Sequence, residues 1–196
     1  GNDPGKVVIS AALTGALTTR DQCEAIPYTP EEIAEEAAAA REAGAAVAHI
    51  HARTPEGSPT FETETYQEIY DEVRDRTDIV INFSTGAVGT PVEERLDYVE
   101  EVQPEMAALN MGSMNYAKYS EKREDFVFDM VFDNPFSEIT TLLEGMNDAG
   151  VTPELECFDT GHIGNTRPLL QDGVLDRPFH VSLIMGVLGG IPATVE

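Results

Sequence analysis

The stretch Gly44-Ala45-Ala46-Val47-Ala48-His49-Ile50-His51 decides the fold, because it joins the stop of one helix to a short strand ending in two histidines. Upstream, Thr29-Pro30-Glu31-Glu32 supplies an N-cap threonine, a proline at the first helical position and the glutamate of a capping box. The helix that opens there runs through alanine-rich sequence to about Ala43, and Gly44 can take the left-handed conformation that ends it. A helix followed so soon by a strand is part of a βα repeat.

The same unit recurs on both sides. A first strand is expected over Val7 to Leu13 and the second over Ala46 to His51, followed by a helix from about Glu62 to Asp75. The third strand is Asp78 to Phe83, with a helix starting near Pro91; the fourth is Glu105 to Leu109. An irregular excursion, Met111 to Asp133, leads to a helix from about Pro135 to Ala149. The fifth strand is Pro153 to Phe158, a short helix lies within Gly161 to Gln171, and the sixth strand is Phe179 to Met185. This rhythm never switches, which favours an α/β chain of the TIM (β/α)8 barrel type over a doubly wound sheet. A complete barrel takes about 250 residues and eight strands, so residues 1–196 read as a single barrel domain of about six βα units. Gly189 to Glu196 reads as the loop after the sixth strand, and the expectation is the amino-terminal part of a longer enzyme, incomplete at its C-terminus.

Twelve Lys+Arg stand against 36 Asp+Glu, for a formal charge of −24. That excludes a general nucleic-acid-binding surface, which needs cations to replace the phosphate counterions. Apolar residues make up 41% of the chain, which excludes acidic disorder. An acidic excess spread through nearly every segment, with lysine only at Lys6, Lys118 and Lys122, fits a protein of a salty, halophilic cytoplasm. There is no apolar run of about 18 residues to span a membrane. Cys23 and Cys157 lie far apart without metal-knuckle spacing, and a reducing cytoplasm is the default.

Chemistry concentrates at strand ends. His49 and His51, two apart on a strand, share a face and can aim together into a barrel mouth, where paired imidazoles suit a divalent ion, zinc above others; hydrogen bonding to neighbours is the plain alternative. Glu154, Glu156 and Phe158 share a face of the fifth strand, and an inward Glu156 needs a cation or partner nearby. Asn82 and Ser84 face the mouth together, and the backbone of Thr85 and Gly86 can hold a carboxylate or oxyanion, or simply make a turn. Asn110 adds an amide at the same end, and Arg53 a local cation for anionic substrates.

These residues resemble a known family, the β-keto acid cleavage enzymes, 3-keto-5-aminohexanoate cleavage enzymes among them. The resemblance runs the length of the chain. It rests on Ala11-Ala12-Leu13-Thr14-Gly15-Ala16, Thr29-Pro30-Glu31-Glu32, His49-Ile50-His51-Ala52-Arg53, Asn82-Phe83-Ser84-Thr85-Gly86, Pro104-Glu105-Met106-Ala107 with Leu109-Asn110, Pro153-Glu154-Leu155-Glu156, and Gly186-Val187-Leu188-Gly189-Gly190. The resemblance implies a Zn2+-dependent barrel enzyme, usually a homotetramer, that condenses a β-keto acid with acetyl-CoA and cleaves the product to acetoacetate and a new acyl-CoA. By similarity His49 and His51 ligate zinc, Ser84 and Asn110 line the substrate pocket, and Glu156 is a carboxylate at the reaction centre.

Two positions depart from the aminohexanoate-cleaving pattern. A glutamate that holds the substrate ammonium is Leu17 here, and a pocket threonine is Ala108. Losing a charge and a hydroxyl disfavours an amine, so a substrate without the 5-amino group is expected. The family's remaining zinc carboxylate, its neighbouring aspartate and a catalytic arginine lie on later strands; weak zinc binding and no turnover are expected unless Glu156 or a partner chain completes the site. The rival readings are another metal-dependent barrel hydrolase or aldolase, and a non-catalytic barrel remnant. Amidohydrolases carry their H-x-H after the first strand, whereas here it follows the second.

Overall fold

A computed structural model of the chain describes residues 5–194; Val195 and Glu196, the end of the expected terminal loop, lie outside the described residues. The elements in chain order are β1 (Ser10–Ala12), α1 (Pro30–Glu42), β2 (Val47–Ile50), α2 (Thr63–Arg76), β3 (Val80–Ser84), α3 (Val92–Val102) and β4 (Met106–Asn110). They continue with β5 (Met114–Ser120), β6 (Asp125–Phe132), α4 (Phe136–Ala149), β7 (Thr152–Cys157), α5 (Thr160–Gly164), α6 (Thr166–Gln171) and β8 (His180–Leu183). Six strands form one parallel sheet in the order β1-β2-β3-β4-β7-β8, each next to its predecessor, with helices between. This is the sequential βα winding of a TIM-type barrel.

α1 begins as its sequence dictates. The Thr29 hydroxyl accepts from the Glu32 amide, while the Glu32 carboxylate accepts from the amides of Thr29 and Tyr28. Each helix buries one stripe: Ile33, Ala34 and Ala37 on α1; Tyr66, Ile69 and Val73 on α2; Tyr98, Val99 and Val102 on α3; Ile139, Leu142, Leu143 and Met146 on α4. These stripes cover the outer face of the sheet, where Ala48, Ile50, Ile81, Phe83, Ala107, Leu109, Leu155 and Cys157 are all fully buried. Alternation then forces the remaining strand residues inward. The register aligns His49 with Asn82, Ala108 with Glu154, Asn110 with Glu156 and Glu154 with His180.

Three expectations are corrected. The first strand covers only Ser10–Ala12: its pairing with β2 starts at Ser10 opposite Val47, and Val7, Val8 and Ile9 are exposed. The sixth parallel strand is likewise shorter, at His180–Leu183, and two short helices replace one before it. The excursion from Met111 to Asp133 is an ordered antiparallel hairpin, β5 with β6, held by aromatic pairs such as Tyr116 with Phe128 and Tyr119 with Phe126. It leaves the sheet directly after Asn110. Among the described residues, no helix is long and apolar enough to cross a membrane.

Candidate active site

The inner face of the sheet is polar, and its centre is the histidine pair. The Nε2 atoms of His49 and His51 lie 3.2 Å apart, and the rings meet edge to face with centroids at 5.0 Å. Two nitrogens bound tetrahedrally to one zinc at about 2.0–2.1 Å would be about 3.3 Å apart, so the observed spacing fits a shared ion. Both imidazoles are held neutral, as ligands must be. Burial pushes His51 down to about 3, helped by the neighbouring His49 and Arg53, and burial also lowers His49 against the pull of Glu154. His49 Nδ1 is buried without a hydrogen-bond partner.

Two carboxylates stand beside the pair. One ligand atom from each of His49, Glu154 and Glu156 falls within 4.8 Å of the others. Glu154 is buried and stands on the Nδ1 side of His49, with Oε2 at 3.9 Å. It also accepts from Asn82 Nδ2 and from the Ser182 hydroxyl (2.5 Å), with His180 Nε2 at 3.5 Å. Glu156 is pushed up to about 8, first by burial and then by the charge of Glu154. Imidazole and carboxylate together are the donors zinc prefers when thiolates are absent.

The β3 end forms the adjoining wall. Ser84 and Asn82 are buried on the inner face as expected, and the Gly86 amide donates to the Ser84 hydroxyl at 3.2 Å. Asn110, at the end of β4, is buried with Oδ1 unpartnered, as is Asn82 Oδ1. An ideal Cβ on Gly86 would sit 3.0 Å from Asn110 Nδ2, 3.5 Å from Ser84 Oγ and 3.5 Å from Phe132 Cζ, so Gly86 packs closely against these three residues. The Thr85 hydroxyl instead donates to the Ala108 carbonyl at 2.5 Å, tying β3 to β4. From behind, Tyr98 donates to the Ser84 carbonyl at 2.6 Å, and Arg95, paired with Glu138, reaches the Thr85 carbonyl.

Arg53 is buried, and its guanidinium donates to the carbonyls of Gly57 (2.9 Å), Thr14 (3.2 Å) and Gly15 (2.6 Å). It therefore ties down the loop after β1, whose Thr14 hydroxyl in turn accepts from the His51 amide at 2.8 Å. Leu17 lies exposed on that loop, and Ala108 is fully buried between Ser84 and Glu154 in the strand register. Sequence reasoning missed Glu154 as a site residue, although its shared face with Glu156 was the available signal. Ser182 and His180 alternate onto the same face and carried a similar, weaker signal. Two surface clefts elsewhere, one around Arg20, Glu24 and Glu35 and another around Glu62, Glu94 and Asp97, include none of these inner-face residues.

Comparison with known proteins adds to this geometry. A family model described as beta-keto acid cleavage enzyme matches residues 6–196. A 3,5-dioxohexanoate:acetyl-CoA acetone transferase of Paraburkholderia graminis is 38% identical over 208 residues, with 97% of this chain and 66% of that protein covered. A 3-keto-5-aminohexanoate cleavage enzyme of Acetoanaerobium sticklandii is 38% identical over 191 residues, with 96% of this chain and 66% of that protein covered. The chain thus spans 66% of the length of each of these relatives. Among solved structures, the apo form of ObcA superposes with a TM-score of 0.69 over 83% of this chain and 36% of its own at 23% identity, a likeness of fold.

Proposed function

Because the chain belongs to the β-keto acid cleavage enzyme family, we propose that it carries the metal and substrate-binding face of an enzyme that exchanges acyl groups between a β-keto acid and acetyl-CoA. The observation that carries this reading is the convergence of a neutral histidine pair, two carboxylates and the polar side chains of Ser84 and Asn110 on one inner face. In the reaction a bond forms between Cα of the β-keto acid and the acetyl carbonyl, releasing coenzyme A. The thiolate then attacks the original keto carbonyl and breaks its bond to Cα, leaving acetoacetate and a new acyl-CoA. The proton lost from Cα in the first step returns to it in the second.

His49 and His51 would hold a divalent ion, zinc by its donors, and Glu154 on the Nδ1 side would fix the His49 ring. When bound, that ion supplies Lewis acidity to the oxygens on which negative charge develops. Glu156 moves the Cα proton, since its carboxylate stands on the inner face within 4.8 Å of a His49 ring nitrogen. The Asn110 amide and the Ser84 hydroxyl orient the substrate oxygens, with Asn82 holding Glu154 from the side. Thr85 and Arg53 serve the pocket from behind, by the carbonyls they bind. Leu17 and Ala108 place neither charge nor hydroxyl where an amine would sit, which supports a substrate without a 5-amino group.

Acyl exchange tests this reading. Acetyl-CoA mixed with short β-keto acids and zinc should give acetoacetate and the matching acyl-CoA by mass spectrometry, and His49→Ala should abolish both. A zinc-loaded protein that leaves every such pair unchanged would refute it.

A further inference from the structure

His49 has two ring nitrogens, and Nε2 is the one that meets His51. Nδ1 is buried without a hydrogen-bond partner, 3.9 Å from Glu154 Oε2. A hydrogen bond would draw those two atoms to about 2.7–3.2 Å. A gap near 4 Å is instead what one metal ion spans, since two bonds of about 2.0–2.2 Å reach across it. Ligand atoms of His49, Glu154 and Glu156 lie within 4.8 Å of one another, and His51 is outside that group. A gap at that limit closes with a side-chain shift of about half an ångström. We propose that the Nδ1 side of His49 forms, with Glu154 and Glu156, a second divalent-cation subsite, separate from the His49–His51 pair, which fills when zinc is in excess and holds the enzyme inactive. The inference rests on the β-keto acid reading of the site and deepens it by naming a regulation.

Three further observations support it. Glu154 is only 6% exposed, and a buried carboxylate needs a cation. The groups that bind its oxygens, Ser182 on Oε1 and Asn82 on Oε2, are neutral, and His180 approaches Oε1 rather than the oxygen that faces His49. Next, those two hydrogen bonds fix the carboxylate as ligating carboxylates are commonly fixed, with lone pairs left over for an ion. Asn82 is fully buried, and its unpartnered Oδ1 is a further oxygen beside Glu154. Finally, the register puts Ala108 of β4 next to Glu154 on the inner face. A methyl group there lets Glu154 reach across β4 to Asn82 on β3 and His49 on β2. An ion on Nδ1 of a ring already bound through Nε2 displaces the ring's one N–H proton to solvent and leaves a bridging imidazolate. It also occupies the Glu156 carboxylate, so the group that moves the Cα proton is blocked while the ion stays.

The test is zinc binding by the full chain after EDTA has stripped it, counted by equilibrium dialysis and by calorimetry in buffers of different ionisation enthalpy. The natural chain is expected to take about two ions, and the step that fills second should release at least about one proton. Glu156→Gln should weaken one step by about tenfold or more and leave the other within about threefold. His51→Ala should do the reverse. Glu156→Asp, which keeps the charge and shortens the reach, should fall between and decides the matter if the glutamine variant does not fold. Acyl exchange should drop about 100-fold as the step sensitive to Glu156 fills. A single ion lost in His51→Ala and untouched in Glu156→Gln would overturn the subsite, as would no zinc binding at all. Exchange that continues undiminished while that step fills would overturn the regulation. One ion lost in Glu156→Gln and kept in His51→Ala would uphold the subsite and sink the His49–His51 part of the β-keto acid reading. Absence of exchange at every zinc concentration would sink that reading as a whole, while the ion counts still decide the subsite.

Discussion

Replacing Glu156 by glutamine in the metal-free chain should remove a pH dependence of folding that the natural chain shows. Glu156 is pushed from the ordinary carboxyl value of 4.5 up to about 8 by burial and by Glu154. Between those values the folded chain keeps a proton that the unfolded chain has released, so raising the pH favours unfolding. A full proton difference is worth about 1.4 kcal/mol per pH unit, and over the whole interval the loss amounts to roughly 3–5 kcal/mol. The stabilising state is complete below pH 4.5 and gone above about 8. Glutamine has nearly the same shape and no proton to lose. At pH 8.5 the Glu156→Gln chain should therefore be the more stable by roughly 3–5 kcal/mol, and near pH 4.5 the two should agree. His51, held down to about 3, works in the opposite sense below pH 6.5, but it is present in both chains and cancels in the difference. Urea unfolding in EDTA buffers between pH 5 and 9, followed by far-UV circular dichroism, reads this directly. Profiles that stay parallel across the range would show that Glu156 does not carry the extra proton.

Other perturbations test the supports of the site. Glu138→Gln leaves the buried Arg95 uncompensated and should cost about 2–4 kcal/mol in urea unfolding, whereas Arg41→Gln, whose Asp78 partner is exposed, should cost less than about 1 kcal/mol. Tyr98→Phe removes the donor to the Ser84 carbonyl while keeping the stack on Tyr66, and a loss of about 1–3 kcal/mol is expected. Iodoacetamide at pH 8 should label the exposed Cys23 and spare Cys157, whose thiol is buried and pushed up to about 11; one adduct in the native chain and two in denaturant, counted by mass spectrometry, is the expected result. With a charge of −24, the melting temperature should rise between 0.1 and 2 M KCl as the Debye length contracts from about 10 Å to below 3 Å. A flat or falling curve would remove self-repulsion as a significant destabilising force.

The parallel strands and long helices were legible because period-two and helical patterns alternate cleanly, with Thr29-Pro30 and Gly44 marking boundaries. The H-x-H pair and Glu156 were legible for the same reason: alternation alone assigns them to the inner face. The hairpin was not, since its apolar residues fall on both faces. Phe126, Phe128, Met130 and Phe132 alternate with Val127 and Val131, so no buried side stands out, and in the structure Phe126, Val127 and Val131 are exposed. Arg53 shows another limit. A cation next to two histidines suggests an anion-binding role, but which way a guanidinium turns depends on carbonyls up to 39 residues away in the chain, at Thr14 and Gly15. Glu154 was visible as an inward acid, yet its place as the hub between His49, Asn82 and Ser182 comes from three different strands.

The β5–β6 hairpin has a consequence for how such a protein can diversify. It is a ribbon whose strands pair with each other, that leaves the barrel sheet after Asn110, rests on Phe158 and on a bridge from Ala117 to Leu188, and rejoins the fold at α4. Its Phe132 packs beside Gly86 at the end of β3, yet no strand of the six-stranded sheet pairs with it. Such a ribbon behaves as an exchangeable cassette: its length and aromatic content can drift, or be grafted between relatives, without disturbing the histidines and carboxylates that sit on the rigid sheet. Rim and sheet are thereby separately mutable parts of one polypeptide.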